Sequence, residues 1–173
     1  LPRTALNGDA ALAPLAEQGW QLRADITNAA PGPLDRDRLP LERLLARTDF
    51  TAARWRAETV QWQVGAGWAK LQGEYRPQAQ SLDVRGELRD LPLRQIHRRL
   101  AASAASRLSG TLAARGDLGQ RIDFDADLTS NATAARGAWE VRVLQANGSW
   151  ASSRLAIARV HLRYVVPSPW PGA

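Results

Sequence analysis

Cysteine and methionine are absent from all 173 residues, lysine occurs once, at Lys70, and histidine twice, at His97 and His161. Without cysteine the chain has no disulfide framework, no thiolate zinc site and no cysteine nucleophile. Neither histidine has another histidine or a carboxylate at ligand spacing, so no metal site is expected. A Gly-x-Ser-x-Gly elbow is missing, and Gly65-Ala66-Gly67 lacks the further glycine and the lysine of a phosphate-binding loop. The sequence therefore points away from an enzyme: no catalytic residue and no cofactor are expected. No apolar run approaches the ~20 residues of a membrane-spanning helix, and no signal peptide is evident. The chain opens on Leu1-Pro2 without methionine and stops at Pro171-Gly172-Ala173. It reads as an internal piece, residues 1–173, of a longer repetitive protein.

What is present is alternation. Leu71-Gln72-Gly73-Glu74-Tyr75 is followed by Leu82-Asp83-Val84-Arg85-Gly86-Glu87-Leu88, and the phrase returns as Leu108-Ser109-Gly110-Thr111-Leu112 with Ile122-Asp123-Phe124-Asp125-Ala126-Asp127-Leu128. A looser copy joins Ala146-Asn147-Gly148-Ser149-Trp150 to Leu155-Ala156-Ile157-Ala158. A period of two sends the apolar side chains of a strand to one face and the polar ones to the other. A sheet grown from such units has one greasy and one charged surface. Apolar residues make up 45% of the chain, enough for a folded structure rather than a disordered tail.

Strands are expected at 19–28, through most of 50–88, and at 107–115, 120–129, 138–145 and 154–165, about nine to eleven in all and more than the usual ~4–6 of a sheet. Residues 1–91 form a first strand group, 106–166 a second, and 167–173 an irregular tail. Pro31-Gly32-Pro33 dictates a loop, and Glu42–Ala46 fits either a helical turn or a strand. Between Phe50 and Leu88 the apolar parity slips, which requires a turn or a bulge. In the last strand, Ala156, Ala158, Val160, Leu162 and Tyr164 share one side. Leu93, Ile96, His97, Leu100, Ala101 and Ala104 fall at helical spacing, so one short amphipathic helix is expected at 92–105, with Pro92 at its first position and Asp90 as its cap.

Three features invite a chemical reading. Asp123, Asp125 and Asp127 alternate as in a calcium loop, but Leu128 and Ala134 stand where the loop needs glycine and glutamate; a solvated strand face with a cross-strand partner such as Arg115 or Arg142 accounts for them. The net charge is +6, and Arg94, His97, Arg98 and Arg99 form the best basic patch. It lacks the interleaved aromatics that stack bases, so nucleic acid is not the expected partner. The third feature is aromatic: Trp20, Trp55, Trp62, Trp139 and Trp150 lie on the apolar parity of their strands. Large aromatics can fill a closed sandwich or barrel core that binds a protein or carbohydrate through its loops. The frequent glycine and alanine on the same parity (Gly73, Gly86, Gly110, Ala114, Ala126) instead suit a sheet curled around something thin.

Three phrases in order carry a family resemblance. They are Ile26-Thr27-Asn28-Ala29-Ala30-Pro31-Gly32-Pro33-Leu34-Asp35 running into Arg38-Leu39-Pro40-Leu41, then Leu88-Arg89-Asp90-Leu91-Pro92-Leu93-Arg94-Gln95-Ile96, then Leu108-Ser109-Gly110-Thr111-Leu112-Ala113-Ala114-Arg115-Gly116-Asp117-Leu118. In these the chain resembles the periplasmic region of the TamB family, the inner-membrane component of the translocation and assembly module, within the AsmA-like group. The resemblance implies an all-β, U-shaped, taco-like sheet with a hydrophobic trough along it. It implies a periplasmic place in an inner-membrane-anchored envelope protein of a Gram-negative bacterium. It also implies lipid transport between the two membranes, support of outer-membrane protein assembly and protein secretion, an outer-membrane barrel partner engaged by the parent protein, and neighbouring repeats at both ends.

An acyl chain gains ~0.8 kcal/mol per methylene removed from water, so a continuous apolar wall holds phospholipid tails without a specific pocket. The residues expected to line it are Trp20, Leu22, Ile26, Trp62, Val64, Leu71, Tyr75, Leu82, Val84, Leu88, Leu108, Leu112, Ile122, Phe124, Leu128, Trp139, Val141 and Val143.

Overall fold

The computed structural model describes residues 4–16, 18–98, 106–131, 140–151 and 154–165. They form one open antiparallel sheet of ten strands, laid down in chain order from β1 to β10. The strands are β1 Leu6–Leu15, β2 Gly19–Asn28, β3 Arg43–Phe50, β4 Trp55–Val64, β5 Gly67–Arg76, β6 Ser81–Pro92, β7 Arg107–Asp117, β8 Arg121–Ser130, β9 Glu140–Ala151 and β10 Arg154–Val165. At ~4.8 Å per strand the ladder extends roughly 40–45 Å along its hydrogen bonds. β1 and β10 end it and do not pair with each other.

The fold is a meander because each strand is joined to the next at its own end. At one margin short connections join Leu15 to Gly19, Phe50 to Trp55, Arg76 to Ser81, Asp117 to Arg121 and Ala151 to Arg154, with turns at 77–80 and 118–120. At the other, the Gly65-Ala66 hairpin is the one short link beside the longer connections 29–42, 93–106 and 131–139. Of Glu42–Ala46, all but Glu42 resolve as strand, since Arg43 to Phe50 pairs on both sides. β1 was not anticipated: its alternate positions Gly8, Ala10, Leu12 and Pro14 carry only one large aliphatic side chain, and Pro14 sits in it because an outer strand has one side free of ladder hydrogen bonds.

The helix expected over 92–105 is much shorter. α1 is a single turn, Leu93–Ile96. Pro92 ends β6 instead of opening the helix, paired with Arg107. Asp90 caps nothing; its backbone is left-handed (φ 49°), its N–H donates to Ser109 Oγ at 2.9 Å, and it belongs to a bulge. Residues 99–105 lie outside the described part, as does the expected tail from 167 onward.

The parity slip expected near Gly65-Ala66-Gly67 is the hairpin turn between β4 and β5; β4, β6 and β10 carry bulges besides, and these share a signature. In β4 the register skips between Ala57 and Val60, in β6 between Leu88 and Leu91, and in β10 between Ile157 and Arg159. Each falls within an apolar-x-x-apolar step: Ala57 to Val60, Leu88 to Leu91, Ile157 to Val160. An extra residue in one strand returns the later apolar side chains to the face of the earlier ones. In β10 this corrects the expected arrangement: Leu155, Ile157, Val160 and Leu162 share a face, and Ala156 stands on the other.

Little of the chain is packed. Among the described residues the buried apolar side chains are Val64, Ala69 and Leu91, with Pro92 fully enclosed beside them. Trp62, Leu88, Ile96 and Leu108 pack against this cluster. Strands that are not ladder neighbours make only isolated contacts. The accessible surface is 11760 Å², whereas a compact monomer of this mass exposes about 8,300 Å². The difference is what a single layer leaves uncovered.

Candidate site: an apolar face spanning ten strands

Residues directly opposite in an antiparallel ladder share a face, so the register sorts the side chains into rows that run from β1 to β10. The row beside the short turns is Pro14, Trp20, Phe50, Trp55, Tyr75, Leu82, Gly116, Ile122, Trp150 and Leu155. The next is Leu12, Leu22, Thr48, Ala57, Gly73, Val84, Ala114, Phe124, Gly148 and Ile157. The third is Ala10, Ala24, Ala46, Val60, Leu71, Gly86, Leu112, Ala126, Ala146 and Val160. The fourth is Gly8, Ile26, Leu44, Trp62, Ala69, Leu88, Gly110, Leu128, Leu144 and Leu162. Thr48 is the one aliphatic position of the four rows that carries a hydroxyl, and its Oγ1 is buried without a hydrogen-bond partner.

Size varies along the rows in a complementary way. Where one strand offers glycine, its neighbour offers a large residue: Gly73 faces Val84, Gly86 faces Leu71 and Leu112, and Gly110 faces Leu88 and Leu128. Gly110 is the strictest case. Its φ of +147° is outside the range of L side chains, and a Cβ there would run into the Asp127 carbonyl.

Of the residues expected to line a trough, Trp20, Leu22, Ile26, Trp62, Leu71, Tyr75, Leu82, Val84, Leu88, Leu112, Ile122, Phe124 and Leu128 stand in these four rows. Val64 and Leu108 lie just beyond the fourth, Val64 opposite Gly67 and Leu108 opposite Leu91. Val143 is a correction: it pairs with Thr129 and Arg163 on the polar face, and Leu144 takes the apolar position. The strand phase was misjudged by one residue, which inverts every side chain of a strand. Val141 pairs through its backbone with Tyr164; its side chain and all of Trp139 lie outside the described residues. Sequence reasoning also passed over Leu12, Leu44 and Phe50, left Trp55 and Trp150 out of the lining although it placed both on the apolar parity, and missed Leu155 and Ile157 in β10. The apolar-x-x-apolar steps were the signal that would have placed the β10 pair.

The opposite face is charged and self-neutralising. Arg43 reaches Asp25 at 2.6 Å, Arg47 reaches Glu58 at 2.7 Å, and Arg115 reaches Asp83 at 2.9 Å. The hydrogen bond from Arg43 is the main cause that holds the Asp25 carboxyl below its ordinary value, desolvation opposing it and the guanidinium charge adding to it. The Asp123-Asp125-Asp127 series lies here. Asp123 pairs with Arg121 of its own strand at 2.7 Å, not with the facing Arg115, and Asp127 accepts from Gln145 Nε2 at 3.3 Å. No cluster of three or more potential metal ligands occurs among the described residues. Of the basic patch, Arg98 is engaged with Asp35, and Arg99 lies outside the described residues.

The two margins of the apolar face differ. Beside the short turns, Trp20 and Trp55 are about half exposed (51% and 49%), and Trp150 is 44% exposed. Trp55 makes edge contacts with Phe50 and Tyr75 at ring-centroid separations of 6.2 and 5.4 Å. At the other margin Asn28, itself buried, organises the 29–42 connection: its Oδ1 accepts from Ala5 N and Ala30 N, and its Nδ2 donates to the Leu39 carbonyl. That brings Leu39, Pro40 and Leu41 over Leu44, Trp62 and Val64.

No family model, curated protein or solved structure matches this chain.

Proposed function

We propose that the chain is a stretch of apolar conduit in a TamB-like envelope protein of the periplasm, holding the acyl chains of phospholipid against the oily side of an open sheet while headgroups stay in water. The observation that carries this reading is the continuity of the four apolar rows across all ten strands, with no second sheet laid over them among the described residues. Exposed apolar patches on monomers rarely pass a few hundred Å² and larger ones usually mark an interaction surface. Alkyl tails suit a surface of this shape, since ~0.8 kcal/mol per buried methylene accrues anywhere along it. Repetition of similar rows gives neighbouring positions similar affinity, so a tail can shift by one strand without leaving a deep trap. The reading assigns no catalytic step.

The test is binding of a fluorescent fatty acid or phospholipid to delipidated protein. Val84→Glu and Phe124→Arg place a charge in the second row and are expected to abolish binding while the far-ultraviolet circular dichroism of the sheet persists. Absence of binding by the unmodified chain, or binding that survives both changes, defeats the proposal.

A further inference from the structure

The long-connection margin of the apolar face carries a built feature of its own. Residues 29–42 and the segment that begins with α1 come from sites far apart in the chain, yet they meet. Arg98 Nε donates to Asp35 Oδ2 at 2.6 Å, and the Arg98 backbone N–H donates to Asp35 Oδ1 at 3.2 Å. α1 is seated by the Gly65 turn, where φ is +56° and a Cβ would strike the Gln95 side chain. Beneath this junction Leu39, Pro40, Leu41 and Ile96 face Leu44, Trp62 and Val64 around a cavity of about 290 Å³, open on one side.

Three properties define what it would take. The lining side chains are aliphatic or aromatic and none is charged, so they offer no ionic partner to a carboxylate, phosphate or amine. An apolar cavity of about 150 Å³ stays dry and admits benzene, so this space accepts an apolar group larger than that. Leu44 and Trp62 belong to the fourth row, which continues into Ile26 on one side and Ala69 and Leu88 on the other. An occupant therefore enters from the apolar face with its hydrocarbon end foremost.

We infer that this cavity is a seat for the methyl end of one acyl chain, roofed by the 29–42 connection and α1 and latched by the Asp35–Arg98 pair. The inference rests on the conduit reading and adds a fixed station to it. Elsewhere on the face a tail is held by one wall; here it is held from two sides.

Photocrosslinking of the full chain distinguishes the two ideas. One palmitic-acid analogue carries a diazirine on its terminal carbon and another carries it next to the carboxyl, and labelled peptides are mapped by mass spectrometry. The terminal probe is expected to concentrate on the peptides containing Leu39–Leu41 and Ile96, and the carboxyl-proximal probe is not. Leu41→Trp, which fills the space, is expected to abolish that enrichment and leave total labelling unchanged; Ile96→Phe serves the same purpose should the first variant fail to fold. Asp35→Asn is expected to weaken the enrichment by loosening the latch. Even labelling along the face by both probes, or enrichment of the carboxyl-proximal probe in these peptides, overturns the seat and leaves the conduit standing. No labelling by either probe overturns both.

Discussion

The two margins of the sheet are made from the same kinds of residue and behave oppositely. Beside the short turns, Trp20, Phe50, Trp55, Tyr75 and Trp150 are large and apolar, yet three of the five are about half exposed. At the other margin the smaller Val64, Ala69, Leu91 and Pro92 are buried. The difference lies in the connections. A turn of two to four residues has just enough chain to reverse direction, whereas 29–42 and the α1 segment have chain to spare and fold back over the strand ends. The lesson is that burial here is set by loop length more than by side-chain hydrophobicity. The packed margin should thus carry stability and the bare one should carry ligand contact.

The largest expected effect breaks the packed margin. Leu91→Ala removes a side chain that is 4% exposed and packed with Val64 and Ala69, and such truncations cost about 2–5 kcal/mol. Urea denaturation should show a clearly lower midpoint. Trp150→Ala, although it deletes more atoms, starts from 44% exposure and should move the midpoint much less while weakening fatty-acid binding. Equal loss of stability in the two variants would contradict the division of roles.

Asn28→Ala comes next. It leaves Ala5 N, Ala30 N and the Leu39 carbonyl without the partners they have now; these groups are part-buried, so the cost falls below the ~1–3 kcal/mol of a fully buried group left unpaired. The expected result is a lowered midpoint together with faster hydrogen exchange in residues 29–41. Exchange unchanged in that segment would show that the roof does not depend on Asn28.

Much of the sheet was legible in the sequence because alternation is a direct image of the strand. β2, β5, β6, β7 and β8 all fall where the period of two is clean. What escaped has physical reasons. β1 hides because Gly8, Ala10 and Pro14 signal strand and face weakly. The helical spacing of 92–105 overstated a single turn at 93–96, since the buried Leu91 and Pro92 still belong to β6. Val143 was misplaced because β9 offers valine at 141 and 143 and leucine at 144, apolar choices of both parities. The roofed cavity was invisible altogether. Nothing in Asp35 or Arg98 announces a contact across 63 positions of sequence.

Thr48→Val sharpens the comparison by a smaller step and in the stabilising direction. The Thr48 hydroxyl is buried in the second row and has no partner, so exchanging it for a methyl of similar shape removes a desolvation penalty of about 1–3 kcal/mol at most. The midpoint should rise, and lipid binding should hold or tighten. A fall would mean that the hydroxyl is hydrated in solution and that this part of the face is wetter than its neighbours imply.

The smallest effect belongs to the polar face, where the pairs are exposed and screened by salt. Asp25 is the informative one, because the hydrogen bond from Arg43 outweighs desolvation and lowers its pKa from 3.8. A carboxyl with a lower pKa when folded binds fewer protons in the native state than in the unfolded one. Its contribution is therefore complete above the unfolded value and is lost as pH falls through the folded one. The midpoint difference between the unmodified chain and Asp25→Asn should be constant near neutrality and shrink only below pH 3.8. The same difference should shrink at pH 7 as salt is added. A gap that ignores both pH and salt would mean that Asn replaces the pair through its own hydrogen bonds, and that charge on this face serves solubility rather than holding β2 to β3.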